Sequence, residues 1–261
     1  MADLTSSAIG PKLTAAASPA LVLVPHQPAY LPWPGYLARL LDVDQLLLLD
    51  HAQFSGQWQQ RNYIEGPNGR RRLTVPVRRD FGQSIIQARI SGDQWRRRHW
   101  RSLEESYLRA EFWPDWGPRL AAIYDRRWEH LADLNRAVLD LLLEGFGIQV
   151  TILHSSALDP ADRKTQMLID LCHKTGRKTL RLGAGAHAYL DIARVNRAGI
   201  AVQIATYTHP PYRRGRQPFI TGLSALDLLL HQGPSARHVL AQGAETATWT
   251  EIEAAVGAGA A

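Results

Sequence analysis

Short apolar runs separated by polar breaks dominate both ends of this 261-residue chain, and the spacing turns helical in the middle. "LVLV" (Leu21 to Val24) and "QLLLLD" (Gln45 to Asp50) are continuous apolar runs of strand length, the pattern of strands buried on both faces. Between them "GYLARLLDV" starts just after Pro34, whose fixed φ suits the first position of a helix. Together they predict a βαβ unit with parallel strands. "RNYIEGPNGRRRLTVPV" follows, with Asn68-Gly69 between two strand-like arms as a β-hairpin signal, and "QSIIQARI" reads as one more strand.

From about residue 93 to 146 apolar residues recur at three and four. "DQWRRRHWRSLEESYL" opens on Asp93 as an N-cap, "FWPDWGP" is expected to break the helix, and "WEHLADLNRAVLDLLLEG" resumes it. Trp95, Trp100, Trp113, Trp116 and Trp128 lie in this segment and are read as core rather than as a base-stacking platform. The last third alternates strand and helix: "IQVTIL", "ADRKTQMLIDLCHKTG" ended by Gly176, "KTLRLG", the Gly-rich turn "GAGAHAYL", "DIARVNRAG" and "IAVQIAT". A proline-rich loop and two short helices come after it. The predicted fold is a single α/β domain over residues 21–243, with a mainly parallel sheet, flanking helices, a hairpin and a helical insertion. Residues 1–20 are expected as a flexible leader and 244–261 as a flexible tail.

Composition narrows the function classes. At 45% hydrophobic and 21% charged the chain is an ordinary folded one, and no apolar stretch approaches the roughly 20 residues of a membrane span. Cys172 stands alone, which rules out an intrachain disulfide and a thiolate metal cluster and indicates a reducing cytoplasm. The net charge of +6 is uneven: Arg61 to Arg101 holds eleven Arg against Glu65, Asp80 and Asp93. Such a patch invites phosphate, on a nucleotide, a nucleotide sugar, a tRNA or DNA.

The candidate chemistry gathers where the first two strands end. His26 leaves a buried strand into a proline-locked turn with Gln27, Tyr30 and Trp33, where an imidazole can accept a proton and the rings can floor a pocket. If the two strands are parallel neighbours, Asp50, His51 and Gln53 share that edge, and Asp50 can orient His26 or bind Mg²⁺. Gln60, Arg61 and Asn62 come next, with Arg61 as a forked clamp for phosphate or carboxylate. Lys164 opposes the dipole of its helix, Gly183 and Gly185 precede Tyr189 in a turn open to an anion, and His209 and Tyr212 stand in the late loop. Ser224 and Asp227 have the spacing of a helix cap. Ten His without HxxxH or HxH spacing point away from zinc, and no G-x-S-x-G elbow supports a serine nucleophile.

The segments "HQPAYLPWPGYL", "DHAQFSGQWQQRNYI", "RRLTVPV", "YTHPPY" and "LSALDLLLHQG" resemble, in this order, the WbqC-like protein family. The resemblance implies a bacterial protein encoded among genes for surface polysaccharides such as O-antigen or other amide-bearing products. It also implies transfer of a small acyl or aminoacyl group, such as glycyl, to an amine. The late motif departs from the family's His-Pro-x-Tyr-Pro-Gln, with Arg213 and Arg214 at its last two places. The first βαβ unit is also similar in layout to His-x-Gly-His nucleotidylyltransferases, a class that includes pantothenate synthetase. Here Tyr30 and Trp33 stand at the histidine places and Pro32 at the glycine. The expectation is an acyl or aminoacyl transferase or an ATP-dependent amide ligase, with ATP and Mg²⁺ as cofactors in the second case. His26 is expected as base, Asp50 as its orienter, and Arg61 with Asn62 as anion holders. Two other readings stay open: a nucleotidylyltransferase of a phosphorylated small molecule, and a nucleic-acid-binding module recruiting aminoacyl-tRNA.

Overall fold

The apolar run after Leu21 forms β1 (Val22–His26), and one helical turn, α1 (Pro34–Ala38), leads to β2 (Gln45–Leu48). A hairpin follows, β3 (Arg61–Gly66) and β4 (Gly69–Thr74), and then three helices, α2 (Gln94–Tyr107), α3 (Trp113–Asp125) and α4 (Leu131–Gly145). The chain then alternates through β5 (Thr151–His154), α5 (Lys164–Thr175), β6 (Thr179–Gly183), α6 (Ile192–Arg197) and β7 (Ala201–Tyr207). It ends in α7 (Ala225–Gln232), α8 (Ala236–Gln242), β8 (Ala244–Thr248) and α9 (Trp249–Ala258). This is a computed structural model that describes residues 21–258 apart from 79, 162, 216 and 217. The expected leader lies outside the described residues.

The main sheet has six strands in the order β5-β2-β1-β6-β7-β8, all parallel except β8, and the hairpin stands apart from it. The fold is therefore α/β with a mainly parallel sheet flanked by helices and a separate antiparallel hairpin. Alternate side chains of the central strands feed two cores. Val22, Val24, Leu46 and Leu48 pack with α1, the three middle helices, α7 and α8; Leu23, Leu47, Leu180 and Leu182 pack with α5 and α6. No helix among the described residues is long and apolar enough to cross a membrane.

Four local expectations change. "QSIIQARI" forms only isolated bridges, because its amides turn to loop carbonyls, Ile85 N to Ala52 and Ile90 N to Glu129, rather than to a strand. "FWPDWGP" starts α3 instead of ending a helix: Pro114 in the first turn gives up no hydrogen bond, and the helix carries Pro118 within it at the loss of one. The hairpin closes on Gly66 and Gly69, so Pro67-Asn68 make the turn and Gly69 takes a φ of +109°. The run after Gly243, expected as a tail, supplies β8, which pairs with β7 from Gln203–Thr248 to Tyr207–Ala244. "AETAT" carries no apolar alternation, so its strand state comes from the partner's unpaired edge.

The basic segment is partly answered at home. Arg71 and Arg101 share Glu105, Arg89 faces Glu129 and Arg96 faces Asp93. The tryptophans are core as expected, with Trp95 buried and Trp100 stacked on Trp113 at 5.5 Å.

Tyr30 corrects a site expectation. It does not floor a pocket but is fully buried, its hydroxyl 2.9 Å from His99 Nδ1 and in a short hydrogen bond with the Tyr124 hydroxyl. It ties the turn after β1 to the helical layer, and the three polar groups satisfy one another there. Tyr30→Phe should lower stability by about 1–3 kcal/mol by orphaning those partners. The readout is a lower urea midpoint at unchanged slope.

Candidate functional site

β1 and β6 are neighbours whose connections part: after β1 the chain goes through α1 to β2 on one side, after β6 through α6 to β7 on the other. In open parallel sheets the crevice at the carboxyl ends of two such strands is where ligands bind. His26 closes β1, Leu48 is its partner in β2, and His154 is the partner of Leu48 in β5. At about 4.8 Å per strand this sets the two histidines on one row, roughly 10 Å apart.

Asp50 was expected to orient His26; it holds His154 instead. Its carboxylate is 1% exposed, and each oxygen accepts two hydrogen bonds: Oδ1 from Ser155 Oγ (3.0 Å) and Ser156 N (2.9 Å), Oδ2 from His154 Nδ1 (2.8 Å) and Ser156 Oγ (2.9 Å). Burial alone would push its pKa up, but the donors from Ser156, His154 and Ser155 outweigh that and hold the carboxyl below its usual range. With both oxygens committed, Asp50 does not suit a Mg²⁺ ion. His154, with 40% of its side chain exposed, is fixed with Nδ1–H on the carboxylate, which leaves the lone pair on Nε2. His51 is half-buried beside them, with Nδ1 2.5 Å from Ser155 Oγ.

His26 is packed against the Tyr36 ring at 4.1 Å between centroids, and its Nδ1–H donates to the Gln27 carbonyl at 2.9 Å. Burial, and then the nearby Arg39 cation, drive its pKa down to about 3, so it is a neutral imidazole with its lone pair on Nε2 and a weak base. Arg39 follows α1 and lies against Gly183, where a Cβ would collide with its guanidinium. Gln27 is exposed and its Oε1 accepts from Gln59 Nε2 at 2.8 Å.

The other expected groups divide. Trp33, His209 and Tyr207 form an aromatic cluster beside the end of β7, with Trp33 5.7 Å from Tyr207 and 5.9 Å from His209. Gly183 ends β6, Gly185 lies in the 3-10 turn Ala184–Ala188, and Tyr189 is 45% exposed beyond it. Lys164 is the exposed first residue of α5, and the next residue, Thr165, joins that turn to the helix through the Asp191 amide. Arg61 Nη2 donates to Gln57, and Gln60 is buried with its carbonyl on Val75 N. Asn62 is a buried pin, Nδ2 donating to the Leu31 carbonyl at 2.6 Å, and not an anion holder. Gln53 only bridges Ser84. Tyr212 donates to Asp227 at 2.5 Å, so Asp227 is no capping partner, while Ser224 does cap α7 through Leu226 N.

A cavity of about 1190 Å³ lies elsewhere, between β3, α2 and the late loop. Its floor is the network of Arg214 with Asp227 and Glu65, both at 2.7 Å. Glu65, Asp227 and His231 are close enough to hold a metal ion, but the Arg214 guanidinium already occupies the carboxylates. Sequence reading missed Arg39, His154, Ser155, Ser156 and Gln59; of these only the Arg39 run carried a signal, as a cation on a short helix at the first βαβ unit.

Fold and site thus define an α/β protein whose parallel sheet has its switch point between β1 and β6, with polar groups gathered at its carboxyl edge. Residues 27–239 match the model of the WbqC-like protein family, and the chain belongs to that family. It is 30% identical over 217 residues to an uncharacterised protein of Mycobacterium tuberculosis, Rv1507c, covering 80% of this chain and 93% of that protein. No solved structure matches the chain.

The depressed pKa of Asp50 sets a pH dependence. A carboxyl lower in the folded than in the unfolded state, where it titrates near about 3.9, stabilises above that value and loses its contribution as pH falls through the folded pKa. Asp50→Asn should therefore cost about 3 kcal/mol at pH 7, with the gap to the natural protein narrowing as the pH falls below the unfolded value of about 3.9. Urea titrations of both proteins from pH 7 to pH 2 measure it.

Proposed function

We propose that the protein forms an amide by transferring a small acyl or aminoacyl group from an activated donor to an amine, with the reaction at the carboxyl edge of β5, β2 and β1. The observation that carries this reading is the Asp50–His154 dyad, a half-exposed imidazole fixed by a buried carboxylate two strands from His26. The family resemblance supports the reaction class.

In this reading His154 is the base and His26 is not. The amine nitrogen attacks the acyl carbon, the N–C bond forms, and His154 Nε2 takes the proton that the nitrogen loses. The C–O or C–S bond to the leaving group breaks, the leaving group keeps the electron pair, and the imidazolium returns the proton to it. Asp50 holds the ring in the tautomer that leaves Nε2 free and stabilises the transient cation. The saturated Asp50 carboxylate offers no place for Mg²⁺, which favours a preactivated donor, an acyl-CoA or an aminoacyl-tRNA, over ATP. The exposed Arg72, Arg97 and Arg98 would suit the second of these.

The test incubates the protein with acyl-CoAs, charged tRNA or ATP plus amino acids, each against amine-bearing sugar nucleotides, and reads products by mass. The expected product is an acceptor heavier by the acyl group, and His154→Ala should slow its formation by about 10²- to 10⁴-fold. Pyrophosphate release without amide in the ATP arm would replace this reading with nucleotidyl transfer. Full activity in His154→Ala would remove the dyad from it.

A further inference from the structure

Three other half-buried or buried arginines among the described residues have a polar or charged partner, although Arg177 Nε is left without one. Arg181 donates to Gln203 and to the Leu41 carbonyl, Arg177 pairs with Asp44 at 2.6 Å, and Arg214 pairs with Asp227 and Glu65. Arg39 is the exception. Among the described residues no carboxylate pairs with it and no hydrogen bond engages its guanidinium, and its Nε is buried without a partner. Its ionisable neighbours are Tyr36, Tyr189 and His26, none of them an anion at neutral pH. The Tyr36 hydroxyl, on a residue 1% exposed, is also buried without a partner.

A buried polar group left unsatisfied costs about 1–3 kcal/mol, and more when it is charged, so two together with an unanswered cation require an explanation. Their place supplies it. Arg39 reaches the carboxyl end of β6 at Gly183, against a residue with no side chain to displace it, and acts on His26 at the end of β1. That is the switch-point crevice, where parallel sheets receive ligands.

We propose that Arg39 anchors an oxyanion of the substrate, a phosphate or a carboxylate, in the crevice between β1 and β6. His26, whose Nδ1–H is spent on the Gln27 carbonyl, presents Nε2 as an acceptor to a hydroxyl or N–H on the same substrate. A guanidinium fork binds either oxyanion bidentately. The proposal deepens the amide-forming reading and rests on it for the identity of the site: Arg39 and His26 hold the substrate, and His154 across Leu48 does the chemistry.

Calorimetric titration of the purified protein at constant ionic strength tests it, with pyrophosphate, phosphate, acetate and glycine as probes and sodium chloride as control. Saturable binding of the phosphates, weakened roughly 10- to 100-fold in Arg39→Gln, supports the site and assigns a phosphate-bearing substrate. The same pattern with acetate or glycine supports it and assigns a carboxylate. Gly183→Ala, at a backbone φ of −86° that any residue adopts, keeps every charge and should weaken binding too by crowding Arg39, should Arg39→Gln fail to fold. No probe bound above the chloride control, or equal binding by both variants and the natural protein, overturns the proposal. His154→Ala separates the two readings, since it should lose amide formation yet bind the probe as the natural protein does.

Discussion

A carboxylate shut away from water must have its charge answered by hydrogen bonds, and the edge of this sheet is organised around that demand at Asp50. Four donors converge on it, all of them from His154, Ser155 and Ser156, where β5 ends and the chain leaves it. The end of β2 is thereby locked to the end of β5 more firmly than ladder hydrogen bonds alone would lock two edge-side strands. The same charge that needs those donors fixes the tautomer of His154, so stability and the proposed chemistry draw on one group.

Much of the fold was legible because buried parallel strands announce themselves as unbroken apolar runs. "LVLV" and "QLLLLD" could be strands of little else than a parallel sheet, and Pro34 dictated where α1 begins. β8 was illegible for the converse reason: an antiparallel edge strand with small and polar residues has no pattern of its own and exists through its partner β7. The site was half legible. That Asp50 sits at the carboxyl edge follows from the strand that precedes it, but its partner lies 104 residues on, and nothing local distinguishes His154 from the other nine histidines. Tyr30 and Asn62 misled because a polar residue in a rigid turn has the same sequence signature whether it faces a ligand or pins the turn from inside.

The late motif makes the same point about charge. Arg214 stands where the resemblance leads one to expect Gln, and a buried guanidinium cannot replace an amide without partners. Here it has two carboxylates, Asp227 from α7 and Glu65 from β3. Burial pushes the Glu65 carboxyl above its usual range even with Arg214 beside it, since Asp227 shares the same cation. Such a network adds little net stability over an apolar packing of the same volume, but it specifies how the late loop seats on the hairpin. That leaves the large cavity above it floored by satisfied charges, which is why its size does not make it the reactive centre.

The sheet edge differs in this respect. At Asp50 the charges are closed on themselves, whereas at Arg39 a cation is held among neutral groups with nothing to neutralise it. A fold can carry such a group only where a ligand or water completes it, and its free energy deficit then becomes binding energy for an anion. The row His26, Leu48, His154 sets the two imidazoles two strand spacings apart, roughly 10 Å, with Arg39 on the β6 side of His26. A substrate held by its oxyanion at one end would present its reacting atoms some bonds away, beside a proton acceptor already oriented before it arrives.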